Sequence, residues 1–104
     1  LEVFAEHLVA SDFTKGCPVA TVALDAATES EPIREACATA YASWHELLVD
    51  FLRRRGVSPA RAPGLATTVL AAVEGALLLA KTQRDVAPLR QVASDLRVLL
   101  ERAR

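Results

Sequence analysis

The sequence predicts an all-α domain of five helices, and three observations support this. Ala, Leu and Val dominate the 52% of residues that are hydrophobic, whereas aromatic residues make up only 5%. This composition favours helices, because strands are enriched in β-branched and aromatic side chains. Apolar residues also recur at helical spacing in five segments, which glycine, proline and polar residues separate. The length of 104 residues suits one domain with a modest core.

The first two predicted helices are short. The first covers residues 1–13 and has one apolar face, formed by Leu1, Phe4, Ala5 and Leu8. Gly16 can end this segment in a left-handed conformation, which side chains disfavour. Cys17 then stands at the start of a second helix and Pro18 in its first turn, where its missing N–H breaks no hydrogen bond. The stretch GCPVATVALDAA is therefore explained as a helix start.

A long third helix is predicted from Glu31 to Arg55. Ser30 is a suitable N-cap and Pro32 fits the first turn. Three arginines end the helix before Gly56, and cations are favourable at the negative end of the helix dipole. We therefore interpret the arginine cluster as a helix end rather than as a nucleic-acid site. The apolar positions are Ile33, Cys37, Ala40, Tyr41, Trp44, Leu47, Leu48, Phe51 and Leu52.

The fourth and fifth helices differ in their apolar pattern. A connection rich in proline and glycine, with one turn of helix expected from Ser58, leads to the fourth helix, Gly64 to Arg84. This helix is apolar nearly all round, so more than one of its sides must be covered. Because a small domain has little core for this purpose, we expect one side to meet another chain. The fifth helix, Pro88 to Ala103, carries a single apolar stripe.

Composition and motifs exclude several classes of protein. The net charge of −1 gives no general attraction to nucleic acid or to an anionic membrane. No run of eighteen apolar residues and no signal-peptide pattern is present, so we expect a cytoplasmic protein without a membrane partner. Cys17, Cys37, His7 and His45 lack the close pair spacings of a zinc site, and we expect neither a metal nor a cofactor. Without a catalytic motif, no enzyme is predicted.

Three features of the sequence leave alternatives open. Glu74 stands alone in the apolar fourth helix, where it either pairs with a cation at the edge of the buried face or contacts a ligand or partner chain. Tyr41 and Trp44 are one turn apart and either belong to the core or line a cavity between helices. Cys17, near a helix start that can lower a thiol pKa, could serve as a redox sensor.

Four segments of the chain together resemble a known family: FAEHLVASDFTKGCPVATVALDAATES, YASWHELLVDFLRRRGV, LATTVLAAVEGALLLAKTQRD and APLRQVASDLRVLL. They look like the C-terminal regulatory domain of TetR family transcriptional repressors, in the LmrA/YxaF-like subgroup. Gly16-Cys17-Pro18 and Glu74-Gly75-Ala76 are the most specific pieces. The resemblance implies that the last two helices form a four-helix bundle with those of a second copy. An N-terminal helix-turn-helix domain, which would bind operator DNA, normally precedes this region, and we expect the 104 residues to be a fragment.

The resemblance and the residue pattern lead to one prediction of function. The chain is the effector-binding and dimerisation domain of a TetR-like repressor, in which a ligand shifts the geometry of the homodimer. The alternatives are a structural helical dimerisation module without a ligand and a thiol-based redox sensor. The pocket for a small apolar or aromatic effector is predicted to contain Phe4, Leu8, Cys37, Tyr41, Trp44, Val73 and Leu77. The predicted dimer interface contains Ala71, Ala72, Gly75, Ala76, Leu89, Val92, Leu96, Leu99 and Leu100.

Overall fold

Five α-helices form the fold. The computed structural model describes residues 2–12 and 17–104, except the side chains of residues 2–4, His7 and Leu24. No strand occurs within these residues, and the predicted all-α class is confirmed. The predicted bundle with a second copy stays a prediction. The helices are α1 (Glu2–Ala10), α2 (Pro18–Ala26), α3 (Glu31–Arg54), α4 (Ala62–Gln83) and α5 (Ala87–Arg102).

The helix starts follow the signals in the sequence, with one exception. Cys17 is the N-cap of α2, and the Ser30 hydroxyl at the start of α3 accepts a hydrogen bond from the Ile33 N–H at 3.4 Å. One turn forms from Ser58, as predicted. The Ser58 carbonyl accepts hydrogen bonds from the Arg61 N–H at 3.1 Å and from the Ala62 N–H at 3.0 Å, and the second bond closes a single α-helical turn. α4 begins directly after this turn, two residues earlier than predicted.

The end of α3 agrees with the predicted stop at Gly56. This glycine has a φ of 97°, a conformation that L side chains rarely adopt. Arg53 and Arg54 lie in the last turn of the helix, where the dipole favours a positive charge. The guanidinium of Arg55 lies 4.8 Å from the centroid of the Phe51 ring, in a cation–π contact. The arginine cluster thus has a structural explanation at the helix end.

Two clusters of buried residues hold the helices together. α4 packs against α3 and α5, while α2 packs against α3 and α1 against α5. Because α4 contributes to both clusters, it is the central helix of the domain. The first cluster consists of Ala5, Leu8, Cys17, Ala76, Leu77, Ala80 and Leu89. The second cluster consists of Val49, Leu52, Val57, Ala62, Leu65, Ala66 and Ala103.

One side of α4 remains uncovered in the single chain. The Cα trace measures 36 × 34 × 16 Å, so the domain is at most about two helices thick and cannot surround its central helix. By length and composition α4 could cross a membrane, a property that core helices of soluble proteins share, yet only 28% of its most apolar 18 residues are buried. We call the exposed side the outer face of α4. Its residues are Thr67, Thr68, Ala71, Gly75, Leu78, Leu79 and Thr82.

Candidate functional site

A cavity of about 500 Å³ lies between α2, α3 and α4. This volume falls within the range of about 300–1,000 Å³ that is typical of small-molecule sites in proteins. Most of its wall comes from α2 and α4, and α3 contributes one aromatic side chain. The lining residues are Cys17, Ala20, Thr21, Ala23, Asp25, Tyr41, Glu74, Gly75, Leu77, Leu78 and Lys81.

Small side chains create this space. Ala20 and Ala23 are two of the four described α2 residues that line the cavity, beside Thr21 and Asp25. Across from them, a Cβ atom added to Gly75 would meet no atom within 4 Å. Leu77 is buried and closes the inner end of the cavity, whereas Leu78 is exposed at its outer end. The cavity is therefore mainly apolar and reaches the outer face of α4.

A cluster of three polar side chains interrupts the apolar wall, and we call Tyr41, Glu74 and Cys17 the polar cluster. The Tyr41 hydroxyl donates a hydrogen bond to Glu74 Oε2 at 3.1 Å, which joins α3 to α4. Burial, and then the neighbouring Glu74 carboxylate, raises the pKa of Tyr41 well above its ordinary value. The partner of Glu74 is therefore a hydroxyl, and the ion pairs among residues 2–12 and 17–104 do not include this carboxylate. Both interpretations of Glu74 stay predictions.

Both cysteines are buried thiols. Cys17 is 7% and Cys37 is 8% exposed, and neither forms a disulfide. The Cys37 thiol faces the Val19 carbonyl oxygen at 3.9 Å. Burial raises the pKa of Cys17 and outweighs the backbone N–H groups at the helix start, so the expected lowering of this pKa is wrong. A redox sensor needs an accessible thiolate, and these surroundings disfavour one.

His45 takes part in the packing of α3 on α4. Its Nε2 lies 2.8 Å from the Pro63 carbonyl oxygen and 3.2 Å from Thr67 Oγ1. Residues 2–12 and 17–104, with the side chains described in them, contain no group of three or more histidine, cysteine or acidic residues arranged for a metal ion. The contacts of His45 thus fix the beginning of α4 next to the middle of α3.

The structure brings two of the predicted pocket residues, Tyr41 and Leu77, to the cavity wall. Trp44 does not line the cavity but lies edge-on to Tyr41, with ring centroids 5.4 Å apart and planes at 88°. It is 36% exposed, so it borders the site from outside. Neither of the two open interpretations, core or cavity wall, describes both rings.

The other predicted pocket residues lie away from the cavity wall. Leu8 belongs to the first cluster, Val73 packs against that cluster, and Cys37 is buried behind the cavity. The side chain of Phe4, like Gly16, lies outside the described part of the chain. Sequence reasoning missed the α2 residues, although the small side chains at Ala20 and Ala23 were a signal for open space. Roles in binding remain predictions for all of these residues.

The predicted interface residues divide into three groups by exposure. Ala71, Gly75 and Leu99 are exposed, while Ala76 and Leu89 belong to the first cluster of the subunit itself. The remaining residues are partly buried, namely Ala72, Val92, Leu96 and Leu100. Leu78 and Leu79, which the sequence analysis did not assign to the interface, are 53% and 49% exposed. The outer face of α4 thus exposes two large apolar side chains, and further ones are exposed on α3, where Leu47 is 67% exposed, and on α5.

Comparison with known proteins identifies relatives of this chain. A family described as "Transcriptional regulator LmrA/YxaF-like, C-terminal domain" matches residues 1–95. The HTH-type transcriptional regulator LmrA of Bacillus subtilis is 39% identical over 88 residues, which cover 85% of this chain and 47% of LmrA. An uncharacterized HTH-type transcriptional regulator of Mycobacterium tuberculosis is 33% identical over 105 residues, covering 96% of this chain and 54% of the relative.

A third relative is the uncharacterized HTH-type transcriptional regulator YxaF of Bacillus subtilis, which is 32% identical over 88 residues, covering 85% of this chain and 46% of YxaF. The chain spans about half the length of these relatives. No solved structure gave a significant match. The family match covers nearly the whole chain and agrees with the five-helix fold and with the resemblance in the sequence. The chain therefore belongs to the LmrA/YxaF-like group of TetR family transcriptional regulators, and it is their C-terminal domain.

Proposed function

We propose that residues 1–104 are the effector-binding and dimerisation domain of a TetR-like repressor. The observation that carries the proposal is the cavity of about 500 Å³ between α2, α3 and α4. Its wall is largely apolar and contains few polar groups, a combination that is typical of small-molecule sites. The function is regulatory rather than enzymatic, and its place is the cytoplasm. Operator DNA would be bound only through a helix-turn-helix domain N-terminal to these residues.

The effector is a small molecule with an apolar or aromatic body. Ala20, Ala23 and Leu77 offer only carbon atoms of their side chains to a ligand. The Tyr41 ring adds an aromatic surface at the α3 side of the cavity. Burying apolar ligand area against such a wall is worth roughly 25 cal/mol per Å². An apolar body of moderate size is therefore enough for binding.

The partner in the dimer is a second copy of the chain, which packs on α4 and α5 to form a four-helix bundle. Leu78 and Leu79 on the outer face of α4, together with Ala71, support this proposal because they expose apolar surface that the thin subunit cannot cover. Leu99 is a further exposed apolar side chain, on α5. A four-helix bundle buries such stripes along its length.

The cavity and the proposed dimer surface share residues. Gly75 and Leu78 line the cavity and also belong to the outer face of α4. A ligand that contacts them therefore touches the helix on which the second copy would pack. Such a ligand shifts the dimer between two geometries only if it binds them with unequal affinity. The change in geometry would alter the spacing of the DNA-binding domains and hence the affinity for the operator.

The proposal is tested by filling the cavity. Ala23→Phe places a ring in the space between α2 and α4, and Ala38→Phe is the control because Ala38 is exposed on α3 and does not line the cavity. A panel of small aromatic compounds is screened against the 104-residue chain by thermal melting and by the fluorescence of Trp44, the one tryptophan. A compound at 100 times its Kd should stabilise the chain by about 2.7 kcal/mol.

The filled and control variants give opposite expected results. Ala23→Phe should lose the response to each compound that binds, whereas Ala38→Phe should keep it. Equal binding to both variants would show that the ligand binds outside this cavity. A panel that yields no ligand, together with a filled variant that dimerises normally, would favour the structural dimerisation module.

A further inference from the structure

We infer that the effector carries a protonated amine or a similarly compact cation, which Glu74 binds at the wall of the cavity. The inference rests on the proposed function of the cavity and goes beyond it by naming the polar group of the ligand. It follows from the hydrogen-bonding capacity of the polar cluster, from the charges on the cavity wall and from the absence of a cation paired with Glu74 among the described residues.

The first argument is the hydrogen-bonding capacity of the polar cluster. Tyr41 has a single O–H, and this donor is already directed to Glu74 Oε2 at 3.1 Å. The remaining capacity of this pair consists of lone pairs, on both carboxylate oxygens of Glu74 and on the phenol oxygen of Tyr41. A ligand that matches this group must therefore bring donors. An ammonium group brings three donors and no acceptor.

The second argument is charge. The lining contains two carboxylates, Glu74 and Asp25, and one ammonium, Lys81, so its formal charge is −1. Lys81 lies seven residues along α4 from Glu74, about 10 Å along the helix axis, and it forms no ion pair with Glu74. An anionic ligand would meet a carboxylate of like charge. A neutral apolar ligand would remove water from Glu74 without replacing its hydrogen bonds, which is unfavourable.

The third argument is the position of Glu74, whose charged group lies next to the apolar part of the cavity wall. Its side chain is half-buried, and the neighbouring positions Leu77 and Leu78 are apolar. A cation at Glu74 therefore leaves the rest of the ligand against the apolar wall. A charge-assisted hydrogen bond in such a place is shorter and stronger than one between neutral groups. The matching ligand has one cationic end and an apolar or aromatic body.

Three probes of the same shape test this inference on the 104-residue chain: biphenyl-4-ylmethylamine, biphenyl-4-ylmethanol and biphenyl-4-carboxylate. Binding is followed by the fluorescence of Trp44, whose ring lies next to Tyr41, and by thermal melting. We expect the amine to bind about 10-fold or more tightly than the alcohol, as one charge-assisted hydrogen bond would give. The carboxylate should bind least tightly of the three.

Glu74→Gln keeps the size of the side chain and removes its charge. It should weaken binding of the amine about 10- to 100-fold and change binding of the alcohol by less than about threefold. Glu46→Gln is the matched control, because it makes the same chemical change at an exposed position of α3 that does not line the cavity. This control should leave the affinity for the amine within about threefold of that of the unchanged chain. Circular dichroism checks that both variants are folded.

The outcomes separate this inference from the proposed function. An alcohol that binds as tightly as the amine, or a carboxylate that binds most tightly, would overturn the inference and leave the cavity as an effector site. An amine affinity that Glu74→Gln does not change would also overturn it. Absence of binding by all three probes up to about 1 mM would count against both. The comparison of amine and alcohol needs no variant, so it decides the matter even if Glu74→Gln fails to fold.

Discussion

The first and second clusters are built from nearly the same types of residue, yet only the first adjoins the cavity. Each contains three alanines, and each fills the rest of its volume with leucine and with valine or cysteine. Cys17 and Leu77 belong both to the first cluster and to the cavity wall, whereas no residue of the second cluster lines the cavity. The open space therefore does not come from the composition of the buried residues.

The difference lies in the helices that cover α4. In the second cluster, the 24-residue helix α3 and the chain after Gly56 bring Leu52 and Val57 onto α4. Beside the first cluster, α2 has only nine residues, packs on α3 and faces α4 across the cavity, to which it contributes the small side chains of Ala20 and Ala23. A short helix with small side chains leaves space that a long helix with large side chains fills. The part of the domain around the second cluster is thus tightly packed, and the part beside the first cluster leaves room for a ligand. Both parts share α4 as the central helix.

The largest expected effect tests whether the second cluster is the more tightly closed one. Leu52 is 2% exposed, and Leu52→Ala should lower the free energy of unfolding by about 2–5 kcal/mol. Leu77→Ala should cost at least about 1 kcal/mol less, because Leu77 already adjoins open space and has fewer neighbours to lose. Urea unfolding measures both. Leu47→Ala, at a position 67% exposed on the same helix as Leu52, is the control and should change stability by less than about 0.5 kcal/mol. An equal or larger cost at Leu77 would contradict the comparison.

The next effect concerns the outer face of α4, where Gly75 lies beside the cavity. Gly75→Leu should weaken self-association, since overpacking costs roughly 1–3 kcal/mol and enters twice in a symmetric dimer. Within one subunit the added side chain meets no atom within 4 Å of its Cβ, and leucine favours a helix over glycine by about 0.8 kcal/mol. The subunit should therefore stay folded. Size exclusion with light scattering measures the association.

The control for this variant is Ala38→Leu, which adds an exposed leucine on α3 away from α4. It should leave the association unchanged. If Gly75→Leu associates as the unchanged chain does, Gly75 lies outside the interface. A stable, folded monomer of the unchanged chain at micromolar concentration would contradict the dimer itself.

The smallest expected effect is a loss of stability at alkaline pH that originates at the cavity. Burial raises the pKa of Cys17 above 9.0 and that of Tyr41 well above 10.0 in the folded chain. The folded chain thus holds both protons more firmly than the unfolded chain does. The resulting stability is present below pH 9, and it is lost as the pH rises through the raised values.

Two measurements check this pH dependence. Tyr41 is the one tyrosine, so ultraviolet absorbance follows its ionisation directly, and it should ionise only above its ordinary range. Tyr41→Phe and Cys17→Ala should each flatten the alkaline fall in the free energy of unfolding. A Tyr41 that ionises near pH 10, as free tyrosine does, would show that the polar cluster does not form.

The sequence was sufficient for the helices because their start and stop signals are local. Ser30, Pro18 and Gly56 act through their own backbone or through atoms within one turn, and the structure confirms each of them. The start of α4 was predicted two residues late because the turn from Ser58 leads directly into the helix.

The cavity could be predicted only in part, because helical periodicity tells which face is apolar but not which neighbour covers it. Tyr41 and Leu77 were predicted to line the pocket only because they lie on apolar faces of their helices, and both do line the cavity. The bond between Tyr41 and Glu74 joins positions 33 residues apart, and no local pattern reports such a pairing. Trp44 lies on the same face of α3 as Tyr41 but one helical turn further along. There it borders the cavity from outside and does not line it.

The central position of α4 has a mechanical consequence. Its 22 residues span about 33 Å, with Leu65 and Ala66 packed in the second cluster near its start and Ala76, Leu77 and Ala80 packed in the first cluster further along. Leu78 lies about 20 Å along the axis from Leu65, at the edge of the cavity. A sideways push of about 1 Å there tilts a stiff rod of that length by roughly 3°. In the proposed function, a ligand that displaced α4 at the cavity would therefore rotate the helix, and the displacement would grow with distance along it.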